Sequence, residues 1–216
     1  MPQSFRICLA AGRRLLFFGV VFGLVAGIFL FDVHRGEAGR VLFTEQSWTE
    51  YAQVALLLLS GLLFAIGGYL NRDRLIPALL LTAMAVMASI RELDWVLDRI
   101  THGCWKAPVT VIAVAVTVWV WRRRSTLFDA FAREVPLAYW GTLCSGFSLV
   151  FIFSRLFGMR RNWETMLSSQ LPIESIRSVR RLAEEGTELA GYALIFIAAT
   201  GFLESCMQER RSSRPQ

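Results

Sequence analysis

A chain of 216 residues with 55% hydrophobic side chains and a mean hydropathy of +0.47 carries more apolar surface than a soluble domain of this size can bury. The composition therefore excludes a soluble globular protein and makes lipid the main solvent. The formal net charge of +6 comes from many arginines and a single lysine, Lys106. In a membrane protein such basic residues orient the helices, so we expect no nucleic-acid partner.

Six apolar stretches follow one another along the chain, and most approach the ~20 residues that span a ~30 Å hydrocarbon core. None shows the strict alternation of a barrel strand, so we expect helices, which satisfy their own backbone hydrogen bonds in lipid. The sequence predicts an all-α integral membrane protein, a six-transmembrane helical bundle forming a single domain. The predicted spans, TM1 to TM6, cover residues 15–31, 51–70, 75–94, 106–121, 136–157 and 186–205. The count depends on TM3 and TM4, whose apolar runs are short.

An amphipathic interfacial helix is predicted over residues 172–185, immediately before TM6. Its apolar side chains recur at helical spacing, at Ile173, Ile176, Val179 and Leu182. Arg177, Arg180, Arg181 and Glu184 fall on other faces, so the pattern favours a helix lying on lipid or on the bundle and continuing into TM6.

Arginine clusters at the helix ends indicate which side of the membrane each end faces. With six spans, the run 122–124 and the pair Arg210 and Arg211 fall on the same side as the N-terminus. Short basic tracts mark the cytoplasmic side, so both termini are predicted to be cytoplasmic, although six arginines in the outer tract 155–187 weaken this assignment. Small size and compact loops favour a bacterial inner membrane, with the lipid bilayer and other membrane proteins as partners.

Acidic side chains gather at three predicted helix ends, namely the starts of TM2 and TM6 and the end of TM3. These acids are Glu45, Glu50, Glu92, Asp94, Asp98, Glu184, Glu185 and Glu188. Helix parity puts the three ends on one side of the membrane whichever way the protein is inserted. The sequence therefore predicts an extracytoplasmic, carboxylate-rich pocket formed by TM2, TM3 and TM6.

Helical spacing indicates which of these side chains share a face. Arg91, Asp94 and Asp98 fall on one stripe of TM3, while Glu184 and Glu188 lie four residues apart on one face of TM6. Two such stripes would meet if TM3 and TM6 pack together.

Three interpretations of the acidic pocket stay open. The first is structural, with Arg91 and Arg181 pairing the acids and Glu50 closing a capping box with Ser47. The second is a site for a cation or for a polar or cationic group of a lipid or partner, in a transport or assembly component. The third is a membrane enzyme in which a carboxylate acts as general acid or base on a lipid-linked substrate. A purely structural accessory subunit would need no ligand at all.

Metal and cofactor chemistry has few candidate side chains. Glu92, Glu188, His34 and His102 lie on the same predicted side and are the candidate metal ligands. A divalent cation is the cofactor that such a set would accept. We expect no haem, because neither histidine lies inside a span, and no nucleotide, because no glycine-rich phosphate-binding motif is present.

Overall fold

The computed structural model describes residues 3–35, 47–99 and 101–212, and these are almost entirely helical, with no strand among them. The prediction of an all-α protein is confirmed. In chain order the helices are α1 (Gln3–Arg35), α2 (Trp48–Leu70), α3 (Leu75–Glu92), α4 (Asp94–Leu97), α5 (Lys106–Arg122), α6 (Arg124–Glu134), α7 (Ala138–Ser148), α8 (Ser154–Gly158), α9 (Arg160–Leu167) and α10 (Ile173–Ser212). A 3₁₀ turn (Arg72–Arg74) joins α2 to α3, and a π-helical segment (Leu149–Phe153) joins α7 to α8.

Five helical segments in the described part of the chain are long and apolar enough to cross a membrane. They are Cys8–Arg35, Trp48–Leu70, Arg72–Glu92, Ala138–Gly158 and Ile173–Ser212. The predicted TM4 corresponds to α5, which has only 17 residues and so is about 25 Å long, short of a ~30 Å hydrocarbon core. The structure therefore supports a membrane protein, but the count of six spans is not confirmed.

Helix α10 is the centre of the bundle. It packs against α2, against α7 with its π-helical continuation, and more lightly against α1. Helix α3 packs on the side of α2 that faces away from α10, and α5 packs on α3. Ala198, Ala199 and Phe202 of α10 are fully buried, and the ring of Phe202 meets the ring of Phe64 edge-on at 5.5 Å. In lipid, close packing of this kind is what holds helices together, since burial from water no longer drives the contact.

Helix α1 lies at the periphery, with Val21 and Val25 packed on α10 and one end fixed by hydrogen bonds. Asp32 accepts hydrogen bonds at Oδ2 from the backbone N of Thr49 (2.6 Å) and from Thr49 Oγ1 (2.7 Å), at the start of α2. Much of the rest of α1 points outward, as at Leu15 and Leu24. Large exposed apolar side chains are expected on a helix surrounded by acyl chains, so α1 behaves as a lipid-facing helix.

The end of TM3 differs from the prediction. The helix ends at Glu92, and Leu93 leaves helical geometry (φ −93°, ψ 16°) before the short α4 begins at Asp94. The predicted stripe through Arg91, Asp94 and Asp98 is therefore wrong, because the two aspartates belong to a separate helical turn. The backbone N of Leu93 donates to the carbonyl of Ser89, so the last helical hydrogen bond of α3 is made before the chain turns.

The predicted amphipathic helix and TM6 form one uninterrupted helix of 40 residues, α10. At ~1.5 Å per residue it is about 60 Å long, twice the ~30 Å hydrocarbon core, so a large part extends beyond the lipid. That extension packs against α8 and α9, and its apolar residue Ile176 is buried. Ile176 therefore contacts protein, whereas Ile173 at the start of the stripe is exposed.

Candidate functional site

Charged side chains from three helical segments meet at one end of the bundle. The group consists of Arg91 and Glu92 at the end of α3, Arg155 on α8 and Glu188 on α10, together with Tyr192 on α10. We call this group the arginine–glutamate cluster. All five side chains lie where the end of α3, the end of the α7–α8 segment and the middle of α10 come together.

Glu188 is the most buried charged member, with 4% of its surface exposed. Its Oε1 accepts hydrogen bonds from Arg155 Nη2 at 2.6 Å and from Ser154 Oγ at 3.1 Å, and it lies 3.6 Å from Arg91 Nη2. A buried carboxylate is costly unless it is paired and hydrogen-bonded, and both conditions are met here.

Arg91 connects the two acids. Its Nη2 contacts Glu92 Oε1 and donates to the hydroxyl of Tyr192 at 3.2 Å. The same hydroxyl donates to Glu92 Oε1 at 2.7 Å, so Arg91, Glu92 and Tyr192 close a ring of contacts. Such a network fixes each side chain in one orientation.

A neighbouring contact extends the polar region toward α2. The side-chain amide of Gln53 is fully buried and its Nε2 donates to Glu185 Oε2 at 3.1 Å and to the Glu185 carbonyl at 3.3 Å. Gln53 Oε1 is buried without a hydrogen-bond partner in the described structure.

An apolar cavity of about 420 Å³ adjoins the arginine–glutamate cluster, between α2, α3, α5, the α7–α8 segment and α10. Its walls are mostly aliphatic and aromatic, and its polar end is formed by Arg91, Arg155 and Tyr192. The walls include Leu57, Leu81, Met84, Trp105, Val109 and Phe151. Few precisely placed polar groups in an apolar pocket are typical of a ligand site.

The two arginines line this cavity, whereas Glu92 and Glu188 do not. The acids contact the guanidinium groups of Arg91 and Arg155 through Nη2 in each case. Within the described structure, Nε and Nη1 of both arginines make no hydrogen bond or ion pair. The acids therefore lie behind the arginines and orient them. The charged groups at the cavity wall are the two positive guanidinium groups.

The π-helical segment determines where Arg155 lies. A π-helical turn contains one residue more than an α-helical turn and so rotates all following side chains about the axis. Ser154 and Arg155 follow it directly, and Ser154 Oγ also donates to the Val150 carbonyl at 2.5 Å. The unusual turn thus brings both residues round to Glu188.

Several predicted site residues lie away from the cluster. Asp94 is exposed, and Asp98 accepts from the backbone N of Gly103 at 2.8 Å and contacts His102 Nδ1 at 3.0 Å. Glu184 pairs with Arg180 on its own helix, with a separation of 3.5 Å.

The remaining predicted residues have separate positions. Glu50 lies in the first turn of α2, where its backbone N donates to Ser47 Oγ at 3.2 Å as the capping motif requires. Arg181 is half-buried on α10 and does not line the cavity, and Glu45 lies outside the described residues.

The four predicted metal ligands do not converge. Glu92 and Glu188 come together around Arg91, but the His102 side chain is 98% exposed and contacts Asp98. His34 Nδ1 contacts the carbonyl of Leu30 at 2.7 Å on α1. No group of three or more acids, histidines or cysteines suited to a metal occurs in the part of the chain that the structure describes.

Arg155, Tyr192 and Gln53 were not predicted as site residues. Tyr192 lies four residues after Glu188, so extending the Glu184–Glu188 stripe by one turn would have found it. Gln53 is a polar residue one turn inside an apolar run. Arg155 had no such signal, because its position depends on the π-helical turn.

A second buried polar group lies at the opposite end of the bundle, and we call it the Arg74 cluster. Arg74 Nη1 lies 3.6 Å from Glu134 Oε2, and Arg74 also contacts Glu209, while Tyr139 donates its hydroxyl to Glu134. Burial raises the pKa of Glu134 above its ordinary value, against the lowering effects of the Tyr139 hydrogen bond and of Arg74.

No protein-family model, no curated protein and no solved structure matches the chain. Its function must therefore be argued from its own side chains.

Proposed function

We propose that the protein binds an anionic amphiphile, a molecule with an acyl-type chain and an anionic head group, in the apolar cavity. The observation that carries this proposal is the position of Arg91 and Arg155 at the cavity wall with Glu92 and Glu188 behind them. The apolar walls would contact the ligand's acyl-type chain, and the two guanidinium groups would bind its anionic head group. The protein then serves as a membrane transport or assembly component.

The charge arrangement favours an anion over the cation suggested by the acids alone. Glu92 and Glu188 are both engaged by arginine, and so a cation would have to displace a guanidinium group to reach them. Nε and Nη1 of each arginine still carry N–H donors, and each of these charged donors can bind a phosphate or carboxylate oxygen.

Two sets of contacts support six membrane crossings. Trp105 and Val109, at the start of α5, line the cavity beside Arg91, whereas Glu134, at the end of α6, reaches Arg74 at the opposite end. We infer that α5, continued by α6, runs between the two ends and forms a sixth crossing, with both termini on one side. The basic run 122–124 and the pair Arg210 and Arg211 then favour cytoplasmic termini in a bacterial inner membrane.

An enzyme acting on a lipid-linked substrate is the second candidate function. Tyr192 lines the cavity and its hydroxyl donates to Glu92 at 2.7 Å, which places a phenol at the ligand's polar end with a carboxylate base behind it. In that case Tyr192→Phe would retain ligand binding and lose turnover, whereas a binding protein would show no turnover with either side chain.

The experiment uses purified protein and ligands that share one alkyl chain but differ in head group: hexadecyl phosphate, hexadecanoate, hexadecanol and hexadecyltrimethylammonium. We expect the two anions to bind most tightly. Arg155→Gln should weaken binding of the anions about tenfold, the size of one charge-assisted hydrogen bond, and leave hexadecanol unchanged.

Arg160→Gln is the matched control, because Arg160 is exposed, pairs with Glu164 on its own helix and lies off the cavity. Val109→Trp should fill the cavity and weaken binding of all the ligands, which keeps the proposal testable if Arg155→Gln fails to fold. Tighter binding of the ammonium ligand, or equal binding by wild type and Arg155→Gln, would contradict the proposal.

A further inference from the structure

A second cavity, of about 630 Å³, lies at the opposite end of the bundle between α1, α7 and α10. We call it the α1 cavity. Helix α1 contributes two basic and two aromatic side chains to it, Arg13, Arg14, Phe17 and Phe18. The bundle contributes Tyr139 and Thr142 of α7 and a polar stretch of α10. This cavity shares no lining residue with the apolar cavity beside Arg91.

The charge of the α1 cavity is positive. Arg13 and Arg14 are exposed, and neither forms an ion pair with any residue within the described ranges. The acid that lines the cavity, Glu204, is also exposed and lies beyond ion-pair distance of both arginines. Two unpaired guanidinium groups beside one carboxylate leave the cavity with a surplus of one positive charge.

The depth of these arginines matches the lipid head-group region. Asp32 holds the other end of α1 against the start of α2, and Arg13 precedes it by 19 residues. At ~1.5 Å per residue the two lie about 28 Å apart, close to the ~30 Å thickness of the hydrocarbon core. Arg13 and Arg14 therefore reach the head groups of the second leaflet, while Phe17 and Phe18 reach its acyl chains.

We propose that the α1 cavity binds one anionic phospholipid, with its phosphate held by Arg13 and Arg14 and an acyl chain lying against Phe17 and Phe18. Basic pockets between transmembrane helices are a recurrent form of lipid site. The loose packing of α1 along this length leaves the room that the bound lipid fills. The site is independent of the proposed function at the other end of the bundle.

The test measures lipids retained by the purified protein, using native mass spectrometry with phosphatidylglycerol, phosphatidylethanolamine and phosphatidylcholine of identical acyl chains. We expect phosphatidylglycerol to be preferred, with inorganic phosphate unable to displace it. The double variant Arg13→Gln and Arg14→Gln should weaken phosphatidylglycerol binding about tenfold or more, because each basic residue near an anionic head group contributes substantially to binding.

The matched control is Arg122→Gln with Arg124→Gln, which removes the same charge from two exposed arginines that do not line the α1 cavity. A second pair places bulk inside or outside the cavity. Thr142→Phe fills it and should weaken binding, whereas Ser145→Phe, on the exposed side of the same helix, should not. Equal loss in both arginine doubles, or no lipid preference in wild type, would overturn the proposal.

Discussion

Individual carboxylates in this protein differ sharply in what surrounds them. Glu188 is held by Ser154 and Arg155 and approached by Arg91, so its charge is shared among three partners. Asp94, only a few residues from Arg91 in the sequence, is exposed. The difference arises because Glu188 lies in the middle of a continuous helix, whereas Asp94 begins a separate turn after the break at Leu93.

Glu134 should make stability depend on pH. Burial raises its pKa in the folded state, so folding favours the protonated form. Its stabilising contribution is present below the unfolded pKa and is lost as pH rises through the folded pKa. The free energy of unfolding should therefore fall with rising pH above that unfolded value, by at most about 1.4 kcal/mol per pH unit.

The measurement is thermal or denaturant unfolding of wild type and Glu134→Gln over a pH series in one detergent. Glutamine cannot titrate, so the variant should lose this component of the pH dependence. Identical pH slopes in the two proteins would show that Glu134 does not titrate differently on folding.

At the residue scale, the sequence predicted several members of the site and mistook their environment. Helix spacing and helix parity predicted Arg91, Glu92 and Glu188 as site residues, and these three meet at one end of the bundle. The acids alone suggested a cation site. Arg155 adds positive charge to the cavity wall. Its position depends on the π-helical turn, which the pattern of side chains does not predict.

The contact between the α7–α8 segment and α10 depends on small residues on both sides. A Cβ at Gly191 would lie 2.6 Å from Val150 Cγ2, and a Cβ at Gly146 would lie 2.9 Å from the Gly191 carbonyl. The close approach of the two segments is what brings Ser154 and Arg155 within reach of Glu188.

Gly191→Ala should therefore destabilise the protein by about 1–3 kcal/mol, the usual cost of overpacking a core. Gly141→Ala is the control on α7, because a Cβ there meets nothing within 4 Å. It should be neutral or stabilising by up to ~1 kcal/mol through higher helix propensity. Unfolding in mixed micelles with increasing dodecyl sulfate measures both, and equal effects of the two substitutions would contradict this account.

At the scale of elements, apolar length predicted most helices because a membrane span needs little else. It did not predict the break after Glu92, since Leu93 and Asp94 carry no proline or glycine to mark it. The periodicity did predict that the segment 172–185 continues into TM6, as it does in α10, but it left open whether this extension lies on lipid or on the bundle, where it packs on α8 and α9. Those outcomes depend on tertiary contacts that local patterns do not contain.

The whole molecule places one polar cluster at each end of the bundle, with apolar packing between them. The arginine–glutamate cluster joins α3, α8 and α10, and the Arg74 cluster joins the start of α3, the end of α6 and the end of α10. Each cluster thus connects parts of several helices that lie at the same end of the bundle. The proposed sixth crossing would connect these two ends through α5 and α6.

The proposal of six crossings implies that the segments before and after α5 lie on opposite sides of the membrane. His102 and Asp129 are exposed residues in these segments, and Asp73, in the turn between α2 and α3, belongs with Asp129. In a background with all four native cysteines replaced by serine, His102→Cys should react with an impermeant maleimide from one side only. Asp129→Cys and Asp73→Cys should react only from the other, as labelling of intact cells and inverted vesicles will show. Labelling of His102→Cys and Asp129→Cys from the same side would show that α5 does not cross the membrane. The protein would then have five crossings.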